Sequence, residues 1–158
     1  MLVTLWRHGQ AGFDAPTDEL RPLTSWGRDH VMAGADHFRQ WCDQSQTELP
    51  MTVVHSPLLR TTQTSELLLE CLRLGKAQAS DLLVPGRTDY TDGAYLDFDQ
   101  AHHLVVGHQP YLSRLIDVWC DADRLPPLMP GGFAVLSLLA PNRGGADLLM
   151  MCSEGGQV

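Results

Sequence analysis

The sequence predicts an α/β fold: a three-layer sandwich whose mostly parallel sheet carries helices on both faces and ends in a C-terminal antiparallel hairpin. Three observations lead there. As far as Trp119, short apolar runs rich in strand-favouring residues alternate with stretches whose apolar residues recur every three or four positions. Several of the runs stop at glycine, proline or a charged residue where the next helical pattern begins. Two later runs flank Pro141-Asn142-Arg143-Gly144-Gly145, which reads as a hairpin turn. Right-handed crossovers make the early strands parallel, and residues 1–158 are expected to form a single domain.

In chain order, Leu2, Val3, Leu5 and Trp6 form the first strand, which stops at Arg7-His8-Gly9. Gln10 to Leu23 is too irregular for helix and long for a connection, the mark of a binding loop. Thr24 can cap a helix in which Val31, Met32, Ala35, Phe38 and Cys42 make one apolar stripe. Met51 to His55 is a second strand. Ser56-Pro57 signals a helix start, a capping hydroxyl followed by proline at the first position, with the helix running through Leu58, Leu68 and Leu72 to Gly75. Leu82-Leu83-Val84 is read as a weak third strand, and Arg87 to Gln100 as acidic loop with at most one helical turn. His103 to Val106 is the fourth strand, ending in Gly107-His108-Gln109-Pro110, and Tyr111 to Trp119 has helical spacing. Pro126, Pro127 and Pro130 force an extended connection. Phe133 to Leu139 and Asp147 to Met151 are the hairpin strands.

Composition narrows the partners. Eleven Lys and Arg against nineteen Asp and Glu give a formal charge of −8, which argues against a broad nucleic-acid-binding face. Arg7, Arg21 and Arg60 nevertheless sit in or beside motifs, so positive charge is concentrated locally and an anion is expected in a pocket. Cys42, Cys71, Cys120 and Cys152 are widely spaced without a Cys-x-x-Cys pair and are read as free thiols in a reducing compartment. No apolar run reaches membrane-spanning length, so a cytoplasmic protein without membrane contact is expected, with monomer as the default.

The chemistry is concentrated at the strand ends. In open α/β sheets ligands bind beyond the carboxyl ends of the strands, and Arg7-His8, Arg60 and His108 each fall at such a junction. A neutral imidazole can attack phosphorus, while guanidinium groups hold phosphate oxygens in a fork. His8 is therefore the candidate nucleophile, its other ring N–H held by a backbone carbonyl. Arg7 and Arg60 are candidate ligands for the phosphoryl oxygens, and His108, expected to be protonated, is a third donor. The start of the helix carrying Arg60 adds a favourable dipole.

Four stretches, Arg7-His8-Gly9, Arg21-Pro22-Leu23-Thr24, Ser56-Pro57-Leu58-Leu59-Arg60-Thr61-Thr62-Gln63-Thr64 and Val106-Gly107-His108-Gln109-Pro110, resemble in order and spacing the histidine phosphatase superfamily, which includes the phosphoglycerate mutases. Within it the chain resembles the short phosphohistidine phosphatases of the SixA type over nearly its whole length. That resemblance implies a phosphoglycerate mutase-like fold and a phosphatase without metal or other cofactor, with His8 as nucleophile and Arg7, Arg60 and His108 as phosphate ligands. Arg21 matches the loop arginine of the SixA type, with a solvated loop charge as the alternative.

The general acid is the open role. The mutase branch uses an acidic residue after the third strand, where this chain reads Pro85 to Asp92 without glutamate. Asp89, Asp92 and Asp18 are the candidates. An alkoxide leaving group needs a proton, whereas imidazole, with a pKa of about 6.5, can leave after protonation by solvent. A histidine-phosphorylated protein is thus the expected partner, in keeping with the lack of a large inserted cap. A small phosphorylated metabolite and a non-catalytic phosphoprotein-binding module are the alternatives. His55, His102, His103 and His108 raise a metal site, but adjacent strand residues face opposite ways and no acidic partner completes a set.

Overall fold

Side-chain alternation along the first strand, β1 (Leu2–Arg7), separates the layers of the computed structural model, which describes residues 1–156; Gln157 and Val158 lie outside the described residues. Val3 and Leu5 face one layer and pack with Leu112, Leu115, Ile116 and Trp119 of helix α3 (Tyr111–Trp119). Trp6 faces the other, among Val31, Ala35 and Phe38 of helix α1 (Ser25–Ser45) and Leu68 of helix α2 (Leu59–Leu72). The Trp6 indole stacks on Phe133 at 4.1 Å between ring centroids and meets Phe38 edge-on. Burial of side chains this large, each worth about 1.5–3 kcal/mol, drives the layering.

The remaining strands are β2 (Thr52–His55), β3 (Lys76–Ala79), β4 (His102–Gly107), β5 (Phe133–Leu138) and β6 (Ala146–Cys152). They form one sheet in the order β3-β2-β4-β1-β5-β6. The pairs β3-β2, β2-β4 and β4-β1 are parallel, whereas β1-β5 and β5-β6 are antiparallel. Helices cover both faces, so the predicted sandwich and terminal hairpin are present. The two central strands of the sheet, β4 and β1, read as near-continuous apolar runs because both of their faces are covered.

Local chemistry explains α1. The Thr24 hydroxyl accepts from the Gly27 N–H at 2.9 Å, and Gln46, in the left-handed region at φ 56°, ends the helix. Gly27 is needed for another reason: a Cβ there would lie 2.3 Å from the Gln10 carbonyl oxygen, so only glycine lets the first loop cross the helix.

Three elements differ from the sequence reading. The third strand is Lys76–Ala79, not Leu82-Leu83-Val84, which lies around a 3-10 turn at Asp81–Leu83. An edge strand pairs on one side only and can be polar, while Leu83 is apolar because it alone of its trio is buried in the core. Helix α2 begins at Leu59 with no side-chain cap, because the Ser56 hydroxyl is turned to His108. The loop from Gln10 to Leu23 contains one 3-10 turn, Asp18–Leu20, and an antiparallel bridge of Ala11 with Leu23 closes its base. Among the described residues no helix is long and apolar enough to cross a membrane.

Candidate active site

Three adjacent parallel strands deliver the central groups side by side. Arg7 is in register with Gly107, so His8 and His108 leave neighbouring strands together, and the His8 N–H donates to the Gly107 carbonyl at 3.2 Å. His55 is in register with Val106, which brings Ser56 next to His108. The chain then turns to opposite faces: α1 follows β1 into one layer and α3 follows β4 into the other. That split makes the carboxyl ends of β1 and β4 a topological switch point, the place at which open α/β sheets bind ligands.

The His8 and His108 rings lie 5.3 Å apart, centroid to centroid. Nδ1 of His8 donates to the Gly9 carbonyl at 2.7 Å, which assigns the ring proton and leaves Nε2 with a lone pair. Burial pushes the His8 pKa down to about 4, the Gly9 carbonyl partly opposing it and Arg60, Arg7 and Arg21 adding to it. His8 is therefore neutral at neutral pH, as a nucleophile must be.

His108 departs from the sequence reading. Burial, then the His8 ring and Arg60, push its pKa down to about 3, well below neutral pH. The Ser56 Oγ lies 2.8 Å from its Nε2 and also accepts weakly from the Leu58 N–H. With the hydroxyl proton donated to Nε2, the ring proton sits on Nδ1, and His108 can donate to an anion without a charge of its own.

Arg7 donates through Nη1 to the Leu128 carbonyl at 2.9 Å, and burial lowers its pKa. Arg60, second in α2, is buried, with Nη1 on the Asp18 carbonyl at 2.9 Å and Nη2 on the Asp18 carboxylate at 3.2 Å. The Nε of Arg7, the Nε of Arg60 and Nδ1 of His108 are all buried without a hydrogen-bond partner among the described residues. Each orphaned donor costs roughly 1–3 kcal/mol unless an acceptor reaches it.

Arg21 is held by its own loop. Its Nε donates to the Gly12 carbonyl, its Nη1 to Asp18 at 3.2 Å, and its guanidinium lies 4.0 Å from the centre of the Phe13 ring. Its connection to the pocket runs through the Asp18 carboxylate, which bridges it to Arg60.

The acid candidates separate. Asp18 stands at the pocket but its pKa is lowered, chiefly by its hydrogen bond to Arg21, so it is an ionised acceptor. Asp89 is bonded to Thr91 and the Asp92 N–H within an exposed turn, and Asp92 pairs with Arg87 at 3.1 Å. The histidines also divide: His102 bonds Thr4 and the Glu48 carbonyl on the α1 face, and His103 lies on the other. Among the described residues no group of three or more His, Cys, Asp or Glu side chains is placed to hold a metal ion.

Sequence reasoning missed the supports. The Thr64 hydroxyl accepts from the Gly9 N–H at 3.0 Å and donates to the Arg60 carbonyl at 2.7 Å, tying the turn after His8 to the helix of Arg60. Gln109 donates to the Leu128 carbonyl that Arg7 also uses. Ser56 was legible only as a helix cap.

A strand-end pair of histidines, two flanking arginines and this strand order define the histidine phosphatase class of α/β proteins. No family model matches the chain. The phosphohistidine phosphatase SixA of Escherichia coli (strain K12) is 32% identical over 143 residues, covering 87% of this chain and 86% of that protein. A structure of the protein histidine phosphatase SixA complexed with tungstate superposes with a TM-score of 0.80 at 29% identity, over 97% of each chain. A putative phosphohistidine phosphatase SixA from Agrobacterium tumefaciens shares the fold, with a TM-score of 0.77 at 22% identity over 96% of each chain. This chain belongs to the SixA branch of the histidine phosphatase superfamily.

Proposed function

We propose that the protein is a phosphohistidine phosphatase that removes phosphate from a histidine-phosphorylated protein through a covalent intermediate on His8. Nε2 of His8 attacks phosphorus and forms a new N–P bond as the substrate's N–P bond breaks. The leaving imidazole takes a proton from solvent. Water then attacks the phosphorus of phosphorylated His8, releasing inorganic phosphate and restoring the neutral ring. Arg7 and Arg60 stabilise the phosphoryl oxygens through their buried Nε–H groups, and His108 donates from Nδ1.

One observation carries this reading: three unsatisfied buried nitrogens from three separate chain segments belong to the residues gathered round His8. The leaving group follows from the carboxylates. The one acid at the pocket is ionised by its arginines, so a substrate that needs no enzymatic acid suits the site. The partner is accordingly a phosphotransfer or signalling protein carrying phosphohistidine.

The test is phosphate release from a phosphohistidine protein, from phosphoserine and from sugar phosphates. Turnover of the first alone, with acid-labile phosphate trapped on His8, is the expected result. Equal turnover of sugar phosphates would replace the protein substrate by a metabolite.

A further inference from the structure

Far from His8, the face of the sheet shared with α3 carries a row of polar side chains that catalysis does not use. Thr52 is in register with Lys76 on one side and with His103 on the other, so the three project side by side from β3, β2 and β4. Neighbouring strands are about 4.8 Å apart, close enough for all three to touch one small molecule. The core of this face, built by α3, packs on β1, β4 and β5, whereas the row lines a cleft of about 330 Å³ walled by the segment around Asp97 and Gln100. His103 lies five residues before His108, roughly 16 Å away at strand rise.

The unmet groups in the row can all donate. Thr52 Oγ1 is buried with no partner among the described residues. Nδ1 of His103 accepts from the Asp97 N–H at 3.3 Å, which places the ring proton on Nε2. Burial lowers the His103 pKa, so the ring is a neutral donor. Lys76 brings a full positive charge at the cleft edge. The Asp97 carboxylate keeps its negative charge but is turned to its own loop, where it accepts from the Asp99 N–H and the Gln100 amide, and among the described residues Lys76 makes no ion pair with it. A hydroxyl, an imidazole N–H and an ammonium are thus aligned along one cleft, each able to donate to the same bound group.

We infer that Lys76, Thr52 and His103 form a second binding site, at the end of the sheet opposite His8, for a small organic oxyanion bearing a carboxylate or phosphate group. Its size suits a ligand of a few carbon atoms, near the lower limit of small-molecule pockets.

Amide NMR titrations of the whole protein test this, with inorganic phosphate and citrate as separate probes. Saturable shifts at Val53, Ala77 and Leu104, with a dissociation constant in the millimolar range or tighter, are expected for at least one probe. The responding probe names the source, phosphate or carboxylate. In the double variant Thr52→Val, Lys76→Met these shifts should weaken by about tenfold or more, because a charged and a neutral hydrogen bond are lost. Phosphate-induced shifts at Gly9 and Gly107 should persist and show that the variant is folded. The inference fails if neither probe gives saturable shifts at the row, or if the shifts survive the double substitution unchanged.

Discussion

At the level of single residues, function rests on protonation states set by burial. His8→Ala removes the nucleophile and should lower phosphate release from a phosphohistidine protein by about a thousandfold or more. On the proposed roles, Arg60→Ala and His108→Ala each remove a donor to the phosphoryl group and should cost about 10²–10³ in kcat. Asp18→Asn separates support from acid catalysis: with Asp18 ionised at the start, its loss should leave kcat within about fivefold. A fall of a hundredfold would make it the acid. Burial depresses the His8 pKa to about 4, so the acid limb of kcat/KM for a substrate of constant ionisation should lie near that value. A limb near 6.5 would mean a solvated, unperturbed ring. Arg7, His8, Arg60 and His108 were legible as candidates because their types and strand-end placement suit phosphoryl chemistry. Ser56, Thr64 and Gln109 were not, because a hydroxyl or amide reads equally well as a cap or a surface group until its partner is seen.

At the level of elements, the site depends on how loops are fastened to helices. Thr64→Val keeps the shape of the side chain but orphans the buried Gly9 N–H, at a cost of about 1–3 kcal/mol. Urea unfolding should show that loss, with kcat falling as well because the turn after His8 is released. Thr24→Ala removes the cap of α1 and should cost about 1 kcal/mol with little effect on kcat, since Thr24 holds the helix and not the pocket. The contrast between the two threonines separates support of the site from support of the fold. The misread third strand has the same origin as the unread supports. Lys76–Ala79 carries little apolar signal because an edge strand takes its stability from one neighbour's backbone, which composition does not record.

At the level of the whole molecule, an anion is expected to stabilise the fold by occupying the orphaned donors. Inorganic phosphate at a hundred times its dissociation constant should add about 2.7 kcal/mol, roughly 5–11 °C in Tm for a domain of this size. Arg60→Ala should abolish most of that shift in a thermal melt. Acid should act in the opposite sense. His8, His102, His103 and His108 all have folded pKa values depressed by burial, so the unfolded chain binds protons that the folded chain refuses. Stability is complete above about pH 6.5 and should decline as pH falls toward 4, seen as a falling urea midpoint. The sequence by itself determined the layered α/β class, the hairpin and most element positions, and it named Arg7, His8, Arg60 and His108 as candidates for one site. Those follow from short-range periodicity and from side chains whose chemistry is distinctive. Only the tertiary structure decided that His108 is neutral, that Asp18 is clamped between two arginines, and that Lys76, Thr52 and His103 share a row. Desolvation, ion pairing and strand register are set by neighbours distant along the chain, and no local pattern of residues encodes them.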